Sequence, residues 1–322
     1  MNSYSAVRRR VFLALPMLAG PALSPIPSRA QAQPARPVAL ATTGMVGDLV
    51  RGVAGPTVTT ETLIGEGVDP HLFRPTRNDI ARILRADALF YNGHRLEGRM
   101  NDVLERAGQT RPALAVAESI PRDRLRQHDD YPEAADPHVW MDPILWGEAI
   151  PAVTQALGRL PGIGDVSAGA AATRALFARL DAYARDVLAP VPAERRVLVT
   201  AHDAFAYFGM RYQFQVESIQ GLSTEAEASL ARIEAMVRLI LDRSLPAIFA
   251  ETSVPDRAVR ALMEGVAARG RPLALGGTLF SDSMGRSGTY RGTYEGMMDH
   301  NITTIARALG GNPPERGLNG RL

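Results

Sequence analysis

From residue 38 onward, short apolar runs alternate with stretches in which apolar residues recur every three or four positions. The runs in the first half are VALATT (38–43), TVTTETLI (57–64), ALFYNG (88–93) and ALAVAES (113–119). Those in the second are RVLVTAH (196–202), FQVESIQ (214–220), AIFAETS (247–253) and PLALGG (272–277). Their length and apolar content predict eight strands, most followed closely by a helical pattern. Such alternation predicts α/β units around largely parallel sheets, where ligands bind at the carboxyl ends of strands. The longest helical pattern covers 167–188, with Leu176, Leu180, Tyr183 and Val187 on one face and Pro190 and Pro192 beyond its end. At 1.5 Å per residue it reaches roughly 33 Å, enough to run along both halves of the chain. The competing reading is a surface helix of one half. A second helix is expected over 224–243, capped by Ser223-Thr224, with Leu230, Ile233, Val237, Ile240 and Leu241 as a core stripe. The polar stretch 122–136, with Asp129 and Asp130, reads as a surface loop, and no internal repeat is present. The expected organisation is an α/β lobe over 33–165, a rigid linking helix over 166–190 and a second α/β lobe over 191–322. A chain of 322 residues at 46% hydrophobic is long enough for two such lobes, each with its own core.

The first residues stand apart from this pattern. Arg8, Arg9 and Arg10 precede an apolar run from Val11, and Ala30-Gln31-Ala32 offers a small-x-small cleavage site. Pro16, Pro21, Pro25 and Pro27 interrupt the run, so a signal peptide over 1–32 is expected rather than a membrane anchor. Arg9-Arg10-Val11-Phe12-Leu13 also resembles a twin-arginine signal. Removing four Arg (8, 9, 10 and 29) from a net charge of +2 leaves 2 − 4 = −2 for the mature chain, so the basic whole-chain balance says nothing about nucleic acid. All 36 basic positions are Arg, which excludes Schiff-base and P-loop lysines. With no cysteine, thiolate chemistry, disulfides and thiolate zinc sites are excluded, as is the acylated cysteine of a lipoprotein. The mature chain is therefore expected free in an exported compartment, periplasmic, as a monomer without stable membrane insertion.

Candidate chemistry centres on His71 in GVDPHLFRPT (67–76), His138 in ADPHVWMDP (135–143), His202 in TAHDAFAYF (200–208) and Asp282 in LFSDSMG (279–285). Three imidazoles and a carboxylate make a full donor set for zinc or a similar divalent ion. The gaps are 67, 64 and 80 residues, with two candidates in each half. In both Asp-Pro-His segments the proline fixes the backbone before the imidazole and holds the Asp extended. Taken singly, each His is more often a structural hydrogen-bonder, and on pattern alone Asp282 reads as a helix N-cap. His202 closes an apolar strand and can face a cleft. His94, in NGHRLEG (92–98), is expected to support the site or cap a turn, His128 to be solvated, and His300 to pack or hydrogen-bond on a helix. Glu251, ending a strand, is a candidate acid behind the metal ligands, with an internal salt bridge as the equal alternative.

With these residues in place the chain resembles the metal-binding receptors of ABC importers for zinc and manganese, the cluster A-I solute-binding proteins. The resemblance covers about 38–309 and is carried by DPHLFRPT, NGHRLEG, DPHVWMDP, AHDAFAYF, GLSTEAEAS (221–229), ETSV (251–254) and LFSDSMG…GTYEGMMDHNITTIARAL, in that order. It implies two α/β lobes joined by one long helix, one Zn²⁺ or Mn²⁺ bound in the inter-lobe cleft by His71, His138, His202 and Asp282, and a membrane permease as partner. For Asp282 it overrides the N-cap reading. The His- and Asp-rich loop common among zinc receptors is reduced here to His128, whereas many manganese receptors carry Glu where this chain has His202. A rigid linking helix implies a small local closure on binding. The rival function is a zinc-dependent hydrolase. Catalytic zinc keeps a coordination position open for water, but here four ligands are available, no HExxH occurs and no motif places a general base.

Overall fold

Each of the eight apolar runs contains a strand in the computed structural model, which describes Met1 and residues 36–128 and 131–322. The expected signal segment and the Asp129-Asp130 pair lie outside the described residues. Residues 36–322 form one compact unit. The strands are β1 (Val38–Ala41), β2 (Thr59–Thr62), β3 (Ala88–Tyr91), β4 (Ala113–Ala115), β5 (Val197–Thr200), β6 (Gln215–Ser218), β7 (Ala247–Glu251) and β8 (Ala274–Leu279). The helices are α1 (Gly44–Ala54), α2 (Arg77–Arg85), α3 (Asn101–Gly108), α4 (Pro143–Trp146), α5 (Ile150–Leu157), α6 (Ser167–Leu188), α7 (Ala206–Tyr212), α8 (Leu230–Asp242), α9 (Arg257–Ala267) and α10 (Tyr294–Leu309).

The first-half sheet has the order β2-β1-β3-β4 and the second half holds the pairs β5-β6 and β7-β8, with every pairing parallel. Composition sorts centre from edge. β5 (VLVT) and β7 (AIFAE) are buried along their whole length, while β2 reads TTET and is half-exposed. Strands covered on both faces need continuous apolar runs, and edge strands do not. β8 carries Gly276 and Gly277 where it meets α10. A Cβ on Gly277 would fall 2.5 Å from Thr304 Cγ2, and one on Gly276 would fall 2.9 Å from Ala308 Cβ. Two missing side chains thus seat β8 on α10, which fixes where the following Asp282 loop emerges.

The helix expected over 167–188 is present over those residues as α6. It packs on α1 and α5 from the first half and on α10 from the second, so the spanning reading holds over that of a one-sided surface helix. At its crossing with α1 a Cβ on Gly169 would sit 2.2 Å from the Val53 carbonyl oxygen, so only glycine permits this approach.

The expectation of a separate core for each half is met only in part. One cluster (Leu40, Ile83, Leu89, Leu104) belongs to the first half and another (Val199, Ile240, Ile248, Leu262) to the second. The largest runs through both, joining Val50, Trp146 and Phe177 to Phe205, Phe249 and Met297.

The second long helix starts later than expected. Ser229, not Ser223-Thr224, accepts the hydrogen bond from Arg232 N, and α8 begins at Leu230, whose side chain is exposed rather than core. Thr224 instead donates its hydroxyl to Asp69 in the other half.

Candidate metal centre

The four candidate residues arrive on loops at strand ends or on the connections between elements. His71 follows β2 on a turn that begins at Gly67, whose φ of 68° favours glycine. Asp69 Oδ1 then accepts from His71 N at 2.8 Å. The second Asp-Pro-His repeats this device, Asp136 Oδ1 accepting from His138 N at 3.0 Å, and adds a contact to His138 Nδ1 at 2.8 Å. His202 lies two residues past β5. Its N–H donates to Glu251 Oε1 at 2.9 Å and its Nδ1 meets Glu251 Oε2 at 2.5 Å. Asp282 lies three residues past β8. Asn301 clamps the chain before it, accepting from Phe280 N at 2.9 Å and donating to Phe280 O at 2.7 Å.

These loops meet at one point. One donor atom from each of His71, His138, His202 and Asp282 lies within 4.8 Å of every other, and all four residues are buried. From Asp282 Oδ2 the Nε2 atoms of His202 and His71 stand 3.0 and 3.7 Å away, and His138 Nε2 is 3.4 Å from Oδ1. A tetrahedral zinc with bonds of about 2.0–2.2 Å would hold its donors roughly 3.3–3.6 Å apart. The three Nε2 atoms and both Asp282 oxygens are buried without a hydrogen-bond partner. Buried polar atoms left unsatisfied cost on the order of 1–3 kcal/mol each, and a cation at this convergence would supply a common partner. The Asp282 side chain faces this convergence and caps no helix, contrary to the N-cap reading.

The electrostatics suit a cation. Burial, aided by the neighbouring His138 and His202, pulls the His71 pKa down to about 3 against the opposing Asp282. Burial also works against charge on His202, yet Asp282 and Glu251 outweigh it and raise its pKa well above the usual imidazole value. Burial would raise Asp282, but His202 in particular holds it well below the usual carboxylate range. The pocket is therefore anionic, with one proton on His202 compensating it near neutral pH.

A family model described as "Zinc-uptake complex component A periplasmic" matches residues 40–308. The chain belongs to this family. It is 42% identical over 309 residues to zinc-binding protein TroA of Treponema pallidum, covering 94% of this chain and 99% of the relative. It is 39% identical over 271 residues to manganese-binding lipoprotein MntA of Bacillus subtilis, covering 84% and 88%. The solved periplasmic zinc-binding protein TroA of T. pallidum superposes with a TM-score of 0.82, over 85% of this chain and 99% of that one. Like these members of the zinc-uptake family, the chain is a binding protein, and the hydrolase reading is set aside.

Behind the four convergent residues lie groups that sequence reasoning missed or misplaced. Asp136 was read only as a backbone constraint, whereas it braces His138 Nδ1 and is itself held by Arg126 at 2.9 Å. Burial opposes its charge, but the hydrogen bond and charge of His138 keep its pKa below the usual value. The same Arg126 reaches Asp203 at 3.1 Å, tying the loop after His202 to the loop before His138. Asp at two residues before His, seen twice, was the available signal. Glu251 lies behind the convergent set, on His202 Nδ1. His94 lies outside the convergent set. Its Nδ1 accepts from Ala135 N at 3.3 Å and so supports the approach to His138. His128 is buried, with its ring against Tyr131, not solvated, because the 122–136 segment folds back through the Gln127–Ala135 bridge. His300 hydrogen-bonds Thr278 O through Nε2, as expected.

Proposed function

We propose that His71, His138, His202 and Asp282 bind one divalent transition-metal ion per chain, Zn²⁺ or Mn²⁺, as cargo for import. The chain is an extracytoplasmic metal-binding receptor of the ABC-importer type, working with a membrane permease and its ATPase. The convergence of three unpartnered, buried Nε2 atoms on an unpartnered carboxylate supports the ligand assignment. Three nitrogen donors and one oxygen favour zinc over manganese at equilibrium whatever ion the cell supplies, since zinc stands higher in the divalent-metal series. Two related members are named for zinc and for manganese respectively, so either ion is a plausible cargo for the family.

The finer reading extends to the whole chain. Residues 1–32 serve as an export signal, 33–165 and 191–322 form the lobes, and 166–190 the helix between them. We also read the receptor as free of a lipid anchor and as a monomer.

The test is metal content and calorimetry on the purified protein and on His71→Ala and His202→Ala. One ion per chain, with tight binding lost in each variant, is expected, because each removes a donor contributed by a different half. Wild-type affinity in either variant contradicts the assignment, and turnover of an ester, peptide or phosphate substrate contradicts the receptor reading.

A further inference from the structure

The two Asp-Pro-His segments use their carboxylates differently. Asp136 spends one oxygen on its own histidine, backbone and ring, and gives the other to Arg126. Asp69 spends one oxygen on His71 N, but its other oxygen lies 2.5 Å from the hydroxyl of Thr224, 155 residues away in the loop before α8. His138 and His202 each have a carboxylate on Nδ1. Among the described residues His71 has none, so its orientation depends on the loop that carries it. That loop is weakly packed, with Val68 and Leu72 exposed at 38% and 41%. Hydrogen bonds to the second half hold it instead. Gly67 N donates to Ser283 Oγ at 3.2 Å, Ser283 in turn meets Thr252 Oγ1 at 3.3 Å, and Thr224 donates to Asp69. Beside Thr224, Glu225 pairs with Arg99 of the first half at 3.3 Å.

We infer that Thr224 is a latch for the bound ion: its hydroxyl, through Asp69, holds the His71 loop onto the site, and His71 is the first ligand to leave when the ion is released. Thr224 touches neither the ion nor a donor atom, so it acts as a positioning residue. Its contribution appears in release and not in capture, because an open loop meets the ion before the latch forms. The inference rests on His71 being a ligand.

The experiment is chelator-driven release of Zn²⁺ from the full-length loaded protein, followed alongside its association rate. Thr224→Val keeps the β-branch and removes the donor. Release should speed up about tenfold or more, the scale of one hydrogen bond to a charged group. Association should change by less than about twofold, since affinity changes within one site fall mainly on the off-rate. Thr224→Ser should restore wild-type release. The melting temperature of the metal-free variants, measured first, reports whether the fold is intact, and Thr224→Ala replaces Val should the latter be poorly folded. Unchanged release in both the Val and Ala variants, or Ser as fast as Val, overturns the latch. If His71→Ala retains tight zinc binding, the ligand assignment fails and the latch fails with it. If His71→Ala abolishes binding while Thr224→Val releases at the wild-type rate, the latch alone is wrong.

Discussion

At the scale of single residues, the site combines two imidazoles of opposite proton affinity, His71 and His202. His71, held near 3 by burial, carries no proton to lose at neutral pH, whereas His202, raised by Asp282 and Glu251 against the effect of burial, keeps one. Ligation needs the Nε2 lone pair, so an incoming cation must expel that proton. Lowering pH below the raised His202 pKa adds competition, and affinity falls about tenfold per pH unit for that one proton. Asp282, kept ionised by His202 and its neighbours despite burial, adds no competition in this range. The measurement is calorimetry of zinc binding near neutral pH in buffers of different ionisation enthalpy. At least one proton released per ion is expected; none would mean that His202 is not a ligand. From sequence alone, three ordinary imidazoles would titrate together near 6.5, between pH 7 and 5. The placement of Asp282 and Glu251 about His202 breaks that equivalence, and it is not visible in a motif. The convergence of the four residues was legible because each sits in a distinctive setting. The braces behind them were only half legible, since Asp69 and Asp136 occupy identical tripeptides yet make different contacts.

At the scale of elements, continuous apolar runs made the strands legible, and the absence of breakers made α6 legible. The start of α8 was not, because nothing local separates Ser223-Thr224 from Ser229 as the cap, and the course of the chain before Ser229, with Thr224 donating to Asp69 of the first half, is tertiary information. Nor could the pattern reveal that Gly169 marks a helix crossing and not merely a weak helical position. Since its missing Cβ lies 2.2 Å from Val53 O, Gly169→Ala forces α6 away from α1, although alanine is the better helix former. The predicted result is a loss of about 1–3 kcal/mol, the scale of overpacking. In thermal unfolding of the metal-free protein this appears as a drop of several degrees, at about 2–4 °C per kcal/mol for a chain of this size. An unchanged or raised melting temperature would show that the two helices do not cross this closely in solution.

At the scale of the whole molecule, the largest core passes through both halves, and α6 and α10 pack together across it. A hinge that opened widely would have to expose that core, so the fold favours release by local movement of ligand loops over a clamp-like swing of lobes. On the proposed assignment, one ion joins the two halves through His71 and His138 on one side and His202 and Asp282 on the other. Anomalous diffraction at the zinc absorption edge, on crystals of the zinc-loaded protein, tests it most directly. A single peak per chain is expected, about 2.0–2.2 Å from the Nε2 atoms of all three histidines and from an Asp282 oxygen. A peak lying away from this convergence, or one bonded to residues of a single half, would contradict it.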